Sequence, residues 1–119
     1  MSVTSVTTDL LRRYAPLDSL RRENLAALAK KIEVRTLEPG KLLIREGEVD
    51  KRTYYLVAGT LELVDRSGGA RLLRAASEEA RNPVSPMLPR RHQVRAVDRV
   101  EYISIDTDLL DVMLTWDQT

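Results

Sequence analysis

The sequence predicts a mainly β domain in which an antiparallel β-roll or jelly-roll barrel is flanked by helices at both ends. Short apolar segments that alternate with polar residues recur about every ten residues, glycine-rich turns separate them, and helical patterns lie on either side. The 119 residues fit one domain. We expect N-terminal helices over residues 1–31, the roll over 32–106 and a C-terminal helix over 107–116.

Two helices are predicted before the first strand. The first covers residues 8–14 and ends before Pro16, which cannot continue a helix. The second extends over about 18–31, with Asp18 or Ser19 as its N-cap. The apolar residues of this second helix recur at helical spacing and form its predicted buried stripe: Leu20, Leu25, Leu28 and Ala29.

The predicted strands are short and are separated by turn residues. Gly40, Gly47 and Gly59 mark three of the turns, and the Asp-Arg-Ser-Gly-Gly run at 65–69 is the clearest hairpin loop in the chain. After residue 75 the alternation fails, and prolines recur at every third position from Pro83 to Pro89. The predicted strands are 32–37, 42–44, 53–57, 60–64, 71–75, 92–97 and 100–105.

The last helix is predicted from residue 108 to 116, with Asp106 or Thr107 as its cap. Acidic residues at its start suit the positive end of the helix dipole. We expect Trp116, a large apolar residue at the end of this helix, to belong to an interface, for example a homodimer formed through the helix. Its predicted buried side consists of Leu109, Leu110, Met113 and Leu114.

Composition excludes several classes of function. The 19 basic and 18 acidic residues leave a net charge of +1, so wholesale electrostatic binding to nucleic acid or to an acidic membrane is not expected. The chain has no cysteine and one histidine, too few for a zinc or cupin-type metal site, and no catalytic motif stands out. No apolar run approaches the roughly 20 residues of a membrane span. We therefore expect a cytoplasmic domain that is not an enzyme.

Two segments are specific enough to indicate a family. Residues 37–47 (Leu-Glu-Pro-Gly-Lys-Leu-Leu-Ile-Arg-Glu-Gly) form a double turn, and residues 54–63 (Tyr-Tyr-Leu-Val-Ala-Gly-Thr-Leu-Glu-Leu) form a strand pair. In this order and spacing they resemble the cyclic-nucleotide-binding domain family, which includes sensor domains of catabolite-activator-type regulators, kinase regulatory subunits and nucleotide-gated channels. The resemblance covers residues 10–114 and implies a β-roll that senses a ligand.

The resemblance also implies where a ligand binds. In the family, a cassette between two strands holds the nucleotide: a Gly-Glu pair grips the ribose, and an arginine pairs with the phosphate through its planar donor fork. Residues 89–96 resemble the end of this cassette and place Arg90 at the phosphate-binding position. Ser85 and Asn82 are the other candidate ligand-binding residues, although Asn82-Pro83 stands where the family has Gly-Glu. The implied ligand is cyclic AMP, cyclic GMP or a cyclic dinucleotide.

Two functional hypotheses follow. The first is a regulatory domain that binds a cyclic nucleotide or a related phosphate ligand and signals through its C-terminal helix to an effector domain further along a longer protein. The second is a degenerate β-roll that binds no nucleotide and serves as a protein-interaction or dimerisation module. The missing Gly-Glu pair and the three prolines motivate the second hypothesis.

Overall fold

The structure is a computed structural model that describes residues 4–117, without the side chains of residues 4 and 5. Its strands pair antiparallel throughout, and three helices accompany them in the described part of the chain. The elements are β1 (Thr4–Ser5), α1 (Thr8–Leu11), α2 (Arg22–Ala29), β2 (Glu33–Leu37), β3 (Leu42–Ile44), β4 (Arg52–Ala58), β5 (Thr60–Asp65), β6 (Ala70–Arg74), β7 (His92–Ala96), β8 (Val100–Asp106) and α3 (Thr107–Asp117).

The described strands form two four-stranded sheets. One has the order β1-β2-β8-β4 and the other β3-β7-β5-β6. The chain passes from the first sheet to the second at Gly59, whose φ is +91°. A Cβ there would lie 2.5 Å from the backbone oxygen of Arg99, so the crossing requires glycine. The predicted mainly β roll with flanking helices is confirmed, and its two sheets face each other without closing into a barrel.

The core has two layers because the first sheet is covered on both faces. Successive residues of a strand point to opposite faces. Tyr55 of β4 accordingly packs against the helices, while its neighbour Leu56 packs between the sheets. The layer between the helices and the first sheet contains Leu11, Leu25, Leu28, Ile103 and Leu110, among others. The layer between the sheets contains Ile44, Leu61, Leu63, Val94 and Val100, among others.

The predicted start of the second helix is wrong. The helix begins at Arg22, and a single 3₁₀ turn, Leu17–Ser19, precedes it. Neither predicted cap is available, since the Ser19 hydroxyl donates to the Pro16 carbonyl at 2.7 Å and the Asp18 carboxylate pairs with Arg81 at 3.3 Å. The predicted apolar stripe does lie inward: Leu20, Leu25 and Leu28 are buried, and Ala29 packs against them.

Two tyrosines fasten the N-terminal segment to the first sheet. The Tyr14 hydroxyl donates to the Leu56 carbonyl at 2.9 Å, and the Tyr55 hydroxyl donates to the Ala15 carbonyl at 2.8 Å. Their rings lie 5.0 Å apart. Burial raises the pKa of the Tyr55 hydroxyl far above its ordinary value, so it remains a donor at any physiological pH.

The C-terminal helix is fixed at both ends. The Asp106 carboxylate accepts the backbone N–H of Asp108 at 2.9 Å, which confirms one of the two predicted caps. At the other end, the Asp117 carboxylate accepts the backbone N–H of Arg21 at 2.9 Å and the Asn24 amide at 2.7 Å. These contacts hold α3 against the start of α2.

Candidate ligand site

The segment between β6 and β7, residues 75–91, is called the connection below. It contains one 3₁₀ turn, Glu79–Arg81, and otherwise irregular backbone with three prolines. Two of its side chains, Ala80 and Val84, are buried in the layer between the sheets. The Val84 N–H also donates to the Tyr54 carbonyl at 2.8 Å. The connection is therefore packed onto the end of the roll, as a ligand cassette would be.

Arg90, the predicted phosphate ligand, lies at the end of the connection and is only 2% exposed. Its Nε donates to the Asp50 carboxylate at 3.2 Å, and its Nη2 donates to the same carboxylate at 2.5 Å and to the Arg52 carbonyl. Its Nη1 donates to the Ser85 carbonyl at 2.9 Å, and the guanidinium lies 5.5 Å from the centre of the Tyr54 ring. We call these surroundings the Arg90 cage.

The cage satisfies Arg90 with groups of its own chain. A guanidinium has five N–H donors. Nε, both hydrogens of Nη2 and one hydrogen of Nη1 account for four of them here. The backbone is also engaged, because the Arg90 N–H donates to Glu48 at 2.8 Å and its carbonyl accepts the Gly47 N–H at 2.7 Å. A phosphate reaching this guanidinium would have to replace the Asp50 carboxylate.

The electrostatics of Asp50 agree with this geometry. Desolvation by itself would raise the pKa of this carboxyl group, but hydrogen bonds from Arg90 and from the Arg52 backbone, together with the Arg90 charge, lower it below its ordinary value. The pair is therefore ionised at neutral pH, and each charge compensates the other. Removing one partner of a buried pair leaves an uncompensated charge, which is strongly destabilising.

Asn82 and Ser85, the other two predicted site residues, line a different space. It is a groove of 470 Å³ between the connection and the second sheet, here called the cassette groove. Its volume is within the range typical of small-molecule sites, about 300–1,000 Å³. The structure thus brings Asn82 and Ser85 together and places Arg90 outside their groove. The lining is Leu63, Arg71, Leu73, Glu79, Arg91, His92 and residues 82–87.

The cassette groove has an apolar floor and a polar edge. Leu63, Leu73 and Val84 on the floor are buried side chains of the layer between the sheets. At the edge, the Ser85 hydroxyl lies 2.7 Å from Nδ1 of His92, and Ser85 adopts a φ of +40°, which is unusual for a residue with a side chain. Such backbone outliers are common at ligand sites, and the strain itself motivates a functional hypothesis.

Arg91 is the residue that the sequence patterns missed. It is exposed at the edge of the groove, and no hydrogen bond or ion pair joins its guanidinium to another residue in the described part of the chain. Arg71, the other arginine of the groove, pairs with Glu79. The available signal was the basic cluster of Arg91, His92 and Arg95, which follows Arg90 directly in the sequence.

A larger cavity of 650 Å³ lies between the turn after β3 and the hairpin loop after β5, and both Arg90 and Arg91 line it. Its charges are largely satisfied within the chain. Arg66 lies 3.6 Å from Glu46. The Asp65 carboxylate accepts the N–H groups of Ser67 and Gly69, and its pKa is lowered by hydrogen bonds from Ser67 and Gly69. The cassette groove differs from this cavity in that two of the predicted site residues, Asn82 and Ser85, line it.

A third cavity, of 230 Å³, separates the connection from the C-terminal helix. Pro86 and Leu88 of the connection face Leu110 and Leu114 of α3 across it. At its margin the hydroxyl groups of Thr53 and Thr107 are 2.8 Å apart. A movement of the connection would therefore change the packing against α3.

Two other kinds of site receive no support. Residues 4–117 contain no group of three or more His, Asp or Glu side chains that could hold a metal ion. Within the same range, none of the helices combines the length and the apolar character needed to cross a bilayer.

Comparison with known proteins gives fold-level matches. No protein-family model matches the sequence, and no curated protein sequence matches it. Among solved structures, the regulatory domain of Toxoplasma gondii PKA with cAMP matches at TM-score 0.71 and 18% identity, covering 89% of this chain and 42% of that one. The regulatory subunit of a cAMP-independent protein kinase A from Trypanosoma cruzi, bound to guanosine, matches at TM-score 0.75 and 15% identity. The match covers 91% of this chain and 39% of that one.

A cyclic nucleotide-binding-like protein from Brucella abortus matches at TM-score 0.67 and 23% identity over 91% of this chain and 97% of its own length. The chain has the fold of the cyclic-nucleotide-binding domains. It spans about 40% of the two kinase regulatory chains. The matched proteins are described as regulatory or cyclic nucleotide-binding-like, and at 15–23% identity the likeness concerns the fold.

Proposed function

We propose that this β-roll is a regulatory domain that senses a small nucleoside or nucleotide in the cassette groove. The observation that carries the proposal is the groove itself, in which an apolar floor lies beneath a polar edge and Asn82, Ser85 and Arg91 line the same space. Sites for small molecules commonly combine a largely apolar wall with a few polar groups that fix orientation.

The proposed ligand-binding residues differ from the family pattern in two respects: Asn82 and Ser85 replace the Gly-Glu pair at the ribose, and Arg91 replaces Arg90 at the phosphate. A base would pack on Leu63 and Leu73, the Asn82 amide and Ser85 hydroxyl would bind ribose hydroxyls, and Arg91 would contact a phosphate if one is present. Arg90 would then support the site from the cage. A ligand without a phosphate is compatible with this arrangement, and the Trypanosoma cruzi neighbour is bound to guanosine, which has none.

Signalling through the C-terminal helix is part of the same proposal. Ligand in the cassette groove would press on residues 82–87, and Pro86 borders the 230 Å³ cavity that Leu110 and Leu114 of α3 also line. Closing that cavity would shift α3 relative to the roll. An effector domain that follows α3 in a longer protein would receive the change.

Calorimetric titration tests the proposal. Guanosine, adenosine, cyclic AMP, cyclic GMP and cyclic di-GMP are each titrated into the protein, and at least one is expected to bind in the micromolar range. Ser85→Ala should weaken that ligand several-fold, whereas Ser67→Ala, in the hairpin loop outside the groove, should leave its affinity unchanged. Absence of heat with all five ligands up to millimolar concentration would reject the proposal.

A second candidate function is favoured by the Arg90 cage. Because Asp50 already neutralises this arginine, the roll is complete without a phosphate, as a β-roll that acts only through protein contacts would be. In that case neither Ser85→Ala nor Arg91→Ala should affect the regulatory activity of the intact protein. Substitutions on α3, including any that disturb a homodimer formed through it, should then carry the functional effect.

A further inference from the structure

The outward side of the C-terminal helix is apolar at its centre. Val112 and Trp116 are 42% and 67% exposed. They lie four residues apart, so their side chains are neighbours on one face of the helix. Leu110 and Met113 occupy the opposite, buried side. We call the exposed set Asp108, Asp111, Val112, Thr115 and Trp116 the α3 outer face.

The charges on this helix have one sign. Residues 106–117 include four aspartates and neither lysine nor arginine. Asp106 caps the helix and Asp117 binds the start of α2, so both are used within the fold. The carboxylates of Asp108 and Asp111 are exposed, and the described residues offer them no hydrogen bond or ion pair. The α3 outer face therefore presents an apolar pair beside two uncompensated negative charges.

We infer that the α3 outer face is a docking surface for a basic amphipathic helix of a partner protein. Helices of this kind lay an apolar face against an apolar surface, and their flanking lysines or arginines would lie next to Asp108 and Asp111. Charge complementarity selects this occupant. A nucleic acid or an anionic membrane would be repelled by the same carboxylates.

A second copy of the chain fits less well. If two copies paired through the same α3 face, the interface would contain four aspartates and no positive charge from either helix, which is unfavourable. The exposed positive side chains of this chain, such as Arg12, Arg13 and Arg22, lie on other elements. The α3 outer face shares no residue with the cassette groove, and only Asp111 of this face also lines the 230 Å³ cavity.

Trp116 allows a direct test, because it is the only tryptophan in the chain. The full chain is titrated with a 14-residue helical peptide of leucine and lysine, and separately with the matched peptide of leucine and glutamate. We expect the basic peptide to shift the tryptophan emission to shorter wavelength in a saturable manner. Its affinity should fall as salt is raised, and the acidic peptide should cause no shift.

Substitutions can distinguish binding of the basic peptide at the α3 outer face from its general attraction to the negative charges of the protein. Asp108→Lys combined with Asp111→Lys should weaken binding of the basic peptide at least tenfold, and adding Val112→Ser should weaken it further because the apolar pair is lost. The matched control combines Glu33→Lys with Glu48→Lys, two exposed acids on other elements, and should bind within twofold of the unaltered protein. Circular dichroism confirms that each variant is folded.

Several outcomes would overturn the inference. Equal weakening by the two double variants would mean that the peptide senses only total charge. A concentration-dependent dimer, seen by light scattering, that shifts the Trp116 emission without any peptide would make a second copy the occupant. A shift produced by phosphatidylserine vesicles but not by the basic peptide would indicate a membrane surface instead.

Discussion

The Arg90 cage and the cassette groove adjoin at Ser85, whose carbonyl binds Arg90 and which also lines the groove, and each contains an arginine. In the cage, a guanidinium that is almost fully buried is bound by a carboxylate and two backbone carbonyls. In the groove, Arg91 is exposed and has no bonded partner in the described range. Adjacent residues of one type thus have opposite surroundings.

The difference shows how burial decides what an arginine can do. A desolvated guanidinium must be paired within the fold, since leaving it unpaired costs several kcal/mol. A solvated guanidinium at the edge of a cavity needs no partner and can bind an incoming anion. A family motif identifies the arginine by position in the sequence, but the available donor is the one that faces open space.

Removing the acid of the cage should have the largest effect. Asp50→Ala is expected to lower the free energy of unfolding by about 3–5 kcal/mol, because it leaves the buried Arg90 charge uncompensated. Urea denaturation measures the change. Glu48→Ala, at an exposed position on the same turn, should stay within about 0.5 kcal/mol of the unaltered protein. A loss below about 1 kcal/mol for Asp50→Ala would mean that Arg90 finds other compensation.

The same pair predicts a dependence of stability on pH. The pKa of Asp50 is lowered on folding from an ordinary value of 3.8, so its contribution is fully present above that value. It is lost as pH falls from 3.8 through the lower pKa of the folded state. Denaturation between pH 5 and about 2 should show falling stability, with a shallower slope in Asp50→Asn. Identical slopes would show that other carboxyl groups, such as Asp65 and Asp117, dominate the acid response.

The groove arginine should affect binding rather than folding. Arg91→Ala is expected to weaken a phosphate-bearing ligand about fivefold, about 1 kcal/mol for an exposed charge pair, and to leave stability unchanged. The affinity for guanosine or adenosine, which carry no phosphate, should not change. Arg35→Ala, at an exposed position on the other sheet, is the control for lost positive charge. If Arg91→Ala weakened the binding of nucleosides and of nucleotides equally, a contact between Arg91 and the phosphate would be contradicted.

The smallest expected effect concerns backbone strain in the connection. Ala76 has a φ of +67°, where a Cβ is unfavourable, and its side chain is exposed. Ala76→Gly should raise the free energy of unfolding by about 0.5 kcal/mol, since the strain relieved exceeds the entropy that glycine loses. Ala70→Gly, at the start of strand β6, should lower it by about the same amount. Thermal denaturation measures both variants. If the two substitutions changed the free energy of unfolding in the same direction, backbone strain at Ala76 would be excluded as the cause.

Much of the fold could be predicted because periodicity is a local property. The alternation in 32–37, 53–57 and 100–105 and the glycine turns predicted strands within one or two residues of those observed. The start of the second helix was wrong because Asp18 and Ser19 are good caps in isolation, and their actual partners, Arg81 and the Pro16 carbonyl, are set by packing. The sequence did not predict that the two sheets face each other without closing into a barrel. This arrangement depends on pairings between strands that are distant in the chain.

The candidate site was predicted in part. Asn82 and Ser85 do line one groove, as their positions in a cassette suggest. Arg90 and Arg91 could not be distinguished by sequence, because both precede strand β7 and no local pattern shows which of two adjacent arginines is buried. Which of them faces inward depends on Asp50, which lies 40 residues away in the chain and meets Arg90 only after the roll has formed.

By itself, the sequence determined the mainly β architecture, the turns and the helices at both ends, because hydrophobic period and turn chemistry act over a few neighbouring residues. Only the tertiary structure decided that Arg90 is enclosed and Arg91 is open, and that Asp108 and Asp111 flank an exposed apolar pair. These properties depend on burial, and burial is a property of how distant segments pack together rather than of any segment alone.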